Sequence, residues 1–224
     1  MYTNHPKFES PGNNDLLWRY FDLARYLDLL IREQLFFANI EDLEDPYEGL
    51  TMSRAAPAPD SSGLTVSSWH NSEDENYAMW KIYAPGSAGL AIQTTFDRLK
   101  TSFNKTDKPV WIGKISYYNQ KHTTEDAAND DPFRSALQKR SIYAFEKEVR
   151  CCYQPRRSEV GEEENASGKF NGVYIPVDLD RLIDRVYVSP YAPAWFRDLV
   201  AGINEKFHLD KPIIHSDVLG PIQT

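Results

Sequence analysis

The sequence predicts an α+β fold with a mixed, mainly antiparallel sheet and flanking helices. Three observations predict it: about eight short runs with strand periodicity, about four helical segments, and no regular strand–helix alternation. At 224 residues, 41% hydrophobic and 13% aromatic, the chain has enough apolar material for a full core, and one domain over residues 1–224 is expected.

The elements follow in order. Met1 to Asn14 is polar and reads as a flexible N-terminal tail. Leu16–Phe21 is a short aromatic strand, after which Asp22 offers an N-cap. Leu23, Tyr26, Leu27, Leu30 and Ile31 then recur at helical spacing. Gln34–Ala38 resumes as a strand and Asp45-Pro46-Tyr47-Glu48-Gly49 breaks it with a turn. Residues 53–63, rich in Ala and Pro, are expected to be a mobile loop. Leu64–Trp69 is the next strand, and Ser72-Glu73-Asp74-Glu75 reads as a capping box before a helix carrying Met79, Trp80 and Tyr83.

Gly89–Phe96 and Val110–Tyr118 are further strands. Asp131-Pro132 opens a helix whose side carries Phe133, Leu137 and Ala144. A second mobile loop is expected over 156–169. Val173–Val177 and Arg185–Val188 are strands. Pro193 starts the last long helix, with Trp195, Phe196, Leu199, Val200, Ile203 and Phe207 as its apolar set, and Ile213–His215 adds a terminal strand.

Composition narrows the function. A net charge of −8 argues against a nucleic-acid binder working by broad phosphate neutralisation. No apolar run approaches the roughly twenty residues of a membrane span, and the N-terminus lacks a signal-peptide layout, so no membrane association and a cytoplasmic location are expected. The only two cysteines, Cys151 and Cys152, are adjacent and expected to be reduced. Five scattered histidines without Cys/His spacing predict no metal site.

Tyr143 to Tyr153 is the most informative stretch. From Glu146 it reads as a strand, with Glu146, Glu148, Arg150 and Cys152 on one face and Val149, Cys151 and Tyr153 on the other. Neighbouring carboxylates raise each other's cost of ionising, which suits acid/base work or stabilisation of a developing positive charge. The plainer reading is a solvated face on which Arg150 neutralises one neighbour.

Leu17-Trp18-Arg19-Tyr20, Leu35-Phe36-Phe37-Ala38, Asp45-Pro46-Tyr47-Glu48-Gly49, Met79-Trp80-Lys81-Ile82-Tyr83-Ala84 with Gly89, and Glu146-Lys147-Glu148-Val149-Arg150 together resemble a bacterial family, domain-of-unknown-function family 2971, from about Leu16 to Val188. That family carries no activity with it. The order of a strand with a basic residue, a serine-bearing strand and a late Glu-x-Glu strand is also similar to the arginine–serine–glutamate class of ADP-ribosyltransferases. This second resemblance implies NAD as co-substrate, with Arg19 or Tyr20 and Ser67, Ser68 and Trp69 binding it. Glu148 would stabilise an oxocarbenium-like transition state and Glu146 would help activate the acceptor. It also implies a macromolecular acceptor, protein or nucleic acid, in bacterial conflict or phage defence. Trp69 replaces the third member of the Ser-Thr-Ser strand, and the interval from Ser68 to Glu146 is long for such a core. Adjacent strand residues point oppositely, so either Arg19 or Tyr20 faces the cleft.

Competing readings attach to other residues. A non-catalytic interaction module would use the polar strand face to bind a partner or pair internally. A metal-dependent nuclease would use Glu146 and Glu148 with Lys147 or Arg150. Met79, Trp80 and Tyr83 read as core, Asp45-Pro46-Tyr47-Glu48-Gly49 as a turn, and His70 as an exposed loop histidine. Arg156-Arg157 pairs most simply with Glu162-Glu163-Glu164. Neither cysteine has a histidine that would make it a nucleophile.

Overall fold

The computed structural model describes residues 1–220 apart from 7, 46–62, 120–132, 134–135 and 161–170. The turn after Asp45, the loop at 53–62, the Asp131-Pro132 helix start and the acidic stretch Glu162-Glu163-Glu164 lie outside the described residues.

The described strands are β1 (Leu16–Asp22), β2 (Gln34–Asn39), β3 (Thr65–Asn71), β4 (Gly89–Thr95), β5 (Trp111–Lys114), β6 (Ser116–Tyr118), β7 (Gln138–Arg140), β8 (Glu148–Tyr153), β9 (Gly172–Pro176), β10 (Arg185–Val188) and β11 (Ile213–His215). The described helices are α1 (Leu23–Arg32), α2 (Tyr77–Tyr83), α3 (Phe96–Ser102), α4 (Arg157–Val160), α5 (Leu179–Leu182) and α6 (Ala194–Lys206). The architecture is α+β, with mainly antiparallel strand pairing and helices. Two compact units interleave along the chain. The first comprises Met1–Pro11, Leu35–Ser68 and Asp107–Ile175, and the second Gly12–Gln34, Trp69–Thr106 and Pro176–Thr224.

In the second unit, β1 runs antiparallel to β4 from Leu16↔Thr95 to Asp22↔Gly89. β10 runs antiparallel on the other side of β4, and β11 is parallel to β10. The Asp22 side chain caps α1 through the amide of Arg25, as its position before the apolar run predicts. Tyr26, Leu29 and Leu30 are buried, whereas Ile31 is exposed. α2 begins later than the Ser72 box predicts. Asn76 is its N-cap and accepts from the amides of Ala78 and Met79, because the Tyr20 hydroxyl engages the Asn76 amide and sets where the helix starts. Trp18, Tyr20, Met79, Trp80, Ala84, Ala91 and Tyr187 form one buried cluster. The last helix also departs from its apolar pattern. Trp195 and Leu199 are exposed, while the polar Asn204 is buried and accepts a hydrogen bond from Tyr26.

In the first unit the strand order is β5-β8-β3-β2-β9, with the parallel pair β6–β7 as a separate ribbon. The predicted strand Val110–Tyr118 is therefore two strands. The Ile115 amide bonds to Glu148 and the next amide, of Ser116, to Leu137, so the chain changes partner at that point. Ala144, predicted on a helix with Phe133, lies instead in a 3-10 helix, Ser141–Glu146, beyond β7. Phe8, Ile40, Leu64, Val66, Ile115, Ala136, Leu137 and Cys152 pack as this unit's buried cluster. The N-terminal residues belong to it too, with Thr3 bonded to the Val110 carbonyl and Tyr2 bridging Val110.

Candidate functional site

Glu146 does not lie on the late strand. Lys147 adopts a left-handed conformation at φ 41°, ends the 3-10 helix and turns the chain, so β8 starts at Glu148. Glu148, Arg150 and Cys152 still share a strand face, as the period of two requires. That face is not solvated, because every residue of β8 is buried and Glu146 and Glu148 are each only 4% exposed.

Buried carboxylates persist as ions only when cations and hydrogen bonds replace water. Arg150, 1% exposed, grips Glu148 with two bonds, Nε to Oε1 at 2.7 Å and Nη2 to Oε2 at 3.0 Å. Its Nη1 donates to the Ala136 carbonyl at 2.8 Å, which fixes the guanidinium. Lys139 of β7 supplies the second cation. Its Nζ lies 2.5 Å from Glu146 Oε2 and 3.2 Å from Glu148 Oε2. The Tyr117 hydroxyl accepts the Glu148 backbone N–H at 2.8 Å. Ser68 of β3 lies near enough to the Glu148 carboxylate to favour its charged form. Ser68 is exposed, whereas Ser67, pointing the other way along the strand, is 1% exposed.

Burial alone would raise the Glu148 pKa. Arg150 and Lys139, with the hydrogen bonding from Arg150 and the nearby Ser68, outweigh it and lower the value from 4.5 to about 2. A depressed carboxyl pKa stabilises the fold fully above the unfolded value and loses that contribution as pH falls through the folded one. Stability measured by denaturant titration is therefore expected to fall between pH 4.5 and about 2 as Glu148 protonates. A profile flat across that window would contradict the pairing.

The other candidates lie in the second unit. Arg19 of β1 is half-buried, with its guanidinium 5.7 Å from the centre of the Trp69 ring. Trp69 is 2% exposed, and among the described residues its buried indole N–H meets no hydrogen-bond acceptor. Tyr20 is 7% exposed, edge-on to Trp80 at 5.0 Å, and burial pushes its hydroxyl pKa up. His70 is not on an exposed loop. It is 1% exposed on β3, against Tyr20. The structure thus brings Glu146, Glu148 and Ser68 together in the first unit, and Arg19 with Trp69 in the second.

Cys151 and Cys152 are reduced and fully buried, and burial pushes the Cys152 thiol up to about 12, far from a reactive thiolate. Asp45 is held by Arg140 through two bonds, at 2.9 and 3.1 Å. Among the described residues no group of three or more His, Cys, Asp or Glu is placed to hold a metal ion, and no helix is long and apolar enough to cross a membrane. Lys139 and Tyr117 are members of this candidate site that sequence patterns miss, because nothing local marks either as a partner of Glu148.

No family model matches the sequence, and no curated protein matches it. Among solved structures, a chain described as Thermus sp. 2.9 DarT in complex with NAD+ is similar over 92% of this chain and 97% of that chain, with a TM-score of 0.43 and 11% sequence identity.

Proposed function

We propose that this protein is an ADP-ribosyltransferase-like enzyme that uses NAD to modify a macromolecule. One observation carries the reading: Glu148 is a sheltered carboxylate fixed by Arg150 and Lys139, with the exposed Ser68 beside it. Breaking the nicotinamide–ribose bond builds positive charge on the sugar, and a carboxylate already oriented toward that charge needs no reorganisation when the bond breaks. Glu148 takes that role and Ser68 orders the nicotinamide side. The resemblance to the arginine–serine–glutamate class would give the pyrophosphate to Arg19, since a guanidinium is suited to paired hydrogen bonds with phosphate oxygens. The ring of Trp69 supports Arg19 from one side. Glu146, engaged by Lys139, assists the acceptor only when that ammonium releases it.

A second reading is favoured by a specific observation. Both Glu148 oxygens are already met by cations of the same unit, which is what a non-catalytic interaction module with an internally paired strand face would have. The nuclease reading ranks below both, since an ammonium and a guanidinium stand where a metal would have to reach these carboxylates.

Calorimetric titration with NAD and a nicotinamide-release assay separate the two leading readings. The wild type is expected to bind NAD and release nicotinamide. Arg19→Ala leaves the Glu148 cluster intact, so it is expected to weaken NAD binding by about 30-fold or more, the worth of a charge-assisted bidentate contact. Its thermal stability should stay close to wild type. A wild-type protein that neither binds NAD nor releases nicotinamide would leave the interaction module standing.

A further inference from the structure

We propose that Lys139 is a positioning residue for Glu148, delivered by the β6–β7 ribbon to fix where that carboxylate points. The inference rests on the reading of Glu148 as the charge-stabilising group. Two three-residue parallel strands have little stability of their own, so their persistence calls for tertiary support. Tyr117 and Lys139 face each other across the ribbon in register. Tyr117 holds the Glu148 backbone N–H, and Lys139 holds its side chain. One pair of ribbon residues therefore clamps both ends of the same glutamate.

The surroundings of Lys139 fit that task. The residue is 8% exposed, and its ammonium meets Glu146, Glu148 and the face of Tyr143, whose ring centre lies 4.8 Å away. Arg150 comes from the strand of Glu148 itself and orients the carboxylate from only one side. Lys139 comes from a different element and locks Oε2, so the rotamer is fixed from two directions. Glu146 then offsets the second cation: among the described residues, Glu146 and Glu148 face Lys139 and Arg150 in the cluster. Among the described residues, the charged and titratable groups around Glu148 include Arg150 and Cys152 from β8, Lys139 from β7, Tyr117 from β6 and Glu146 from the 3-10 helix, with the Ser68 hydroxyl from β3 and Tyr143 behind Lys139.

The test compares Lys139→Met, Lys139→Arg, Glu146→Gln and the charge-balanced double variant Lys139→Met/Glu146→Gln. Nicotinamide release and the titration of the Glu148 carboxyl, followed by carbon-13 NMR, are the readouts. Lys139→Met is expected to lower kcat about tenfold to a hundredfold with KM little changed, the signature of a misplaced catalytic group. The Glu148 titration should move upward in the same variant, and Lys139→Arg should restore most of both. The double variant guards against a fold lost to an unbalanced buried charge, and its kcat should stay below that of Glu146→Gln alone. If the double variant matches Glu146→Gln, only charge balance mattered and the proposal is overturned. If the wild type releases no nicotinamide, the transferase reading fails separately. The carboxyl titration then decides, with an unchanged Glu148 value in Lys139→Met overturning the positioning role.

Discussion

Glu148→Gln is expected to destabilise the protein by about 3–5 kcal/mol, the usual cost of removing one partner from a buried ion pair. The carboxylate accepts two bonds from Arg150 and one from Lys139, and both cations are nearly or wholly buried. A glutamine keeps the shape but presents an amide N–H₂ group to at least one of these donors, and two buried positive charges then face a single carboxylate. The measurement is the shift in denaturant midpoint at pH 7, with the slope compared to confirm that compactness is unchanged. Pairing the change with Lys139→Met should recover part of the loss, because residues in one ion network are not additive. A loss below about 1 kcal/mol would mean that water reaches the cluster and that the carboxylate is not sheltered. The same variant should also lack nicotinamide release. Since it weakens the fold, its inactivity alone cannot separate chemistry from structure, which is why Arg19→Ala is the functional probe.

Gly172→Ala is expected to be at least as damaging, by a different mechanism. Gly172 opens β9 at φ 153°, a conformation that side-chain-bearing residues rarely adopt. A Cβ there would lie 2.1 Å from the Phe37 carbonyl oxygen, 2.8 Å from the tip of the Phe36 ring and 3.0 Å from the Ala38 Cα. The Phe36 ring can swing aside. The Phe37 carbonyl cannot, because it belongs to the backbone of β2, the strand beside β9. The adjacent hydrogen bond from the Asn39 amide to the Asn171 carbonyl, 2.7 Å long, would be pulled apart with it. A loss above about 3 kcal/mol is expected, in the range of combined backbone strain and steric overlap. Hydrogen exchange should show faster exchange across β2 and β9 in the variant. Protection equal to wild type at those amides would contradict the predicted clash.

Much of the fold was legible locally. β1, β2, β3, β4 and β10 appear where alternating apolar residues predict them, since a strand's face is set by a period of two that needs no distant information. The cap of α1 at Asp22 was equally visible, because an N-cap acts on amides only three residues away. The errors share a cause. Sequence spacing extends β8 back to Glu146 because a left-handed lysine leaves no mark in the sequence, unlike the glycine or asparagine that usually signals one. The sequence starts α2 too early because Ser72 and Asn76 are both good caps, and the Asn76 amide is met by the Tyr20 hydroxyl, 56 residues away in the chain. His70, expected on an exposed loop, is buried for the same reason, a polar side chain being buried or exposed according to what packs on it.

Composition and spacing settled the α+β class, the reduced cysteines and the presence of two acidic residues beside an arginine near the start of a late strand. What they could not supply was the partnership of those acids. Coulomb attraction depends on separation in space, and Lys139 reaches Glu148 only because the chain turns at Lys147 and the ribbon pairs Tyr117 with Lys139. Whether a carboxylate is a solvated surface group or a sheltered, fixed charge is therefore decided by long-range packing, and that distinction separates an ordinary strand from a candidate site.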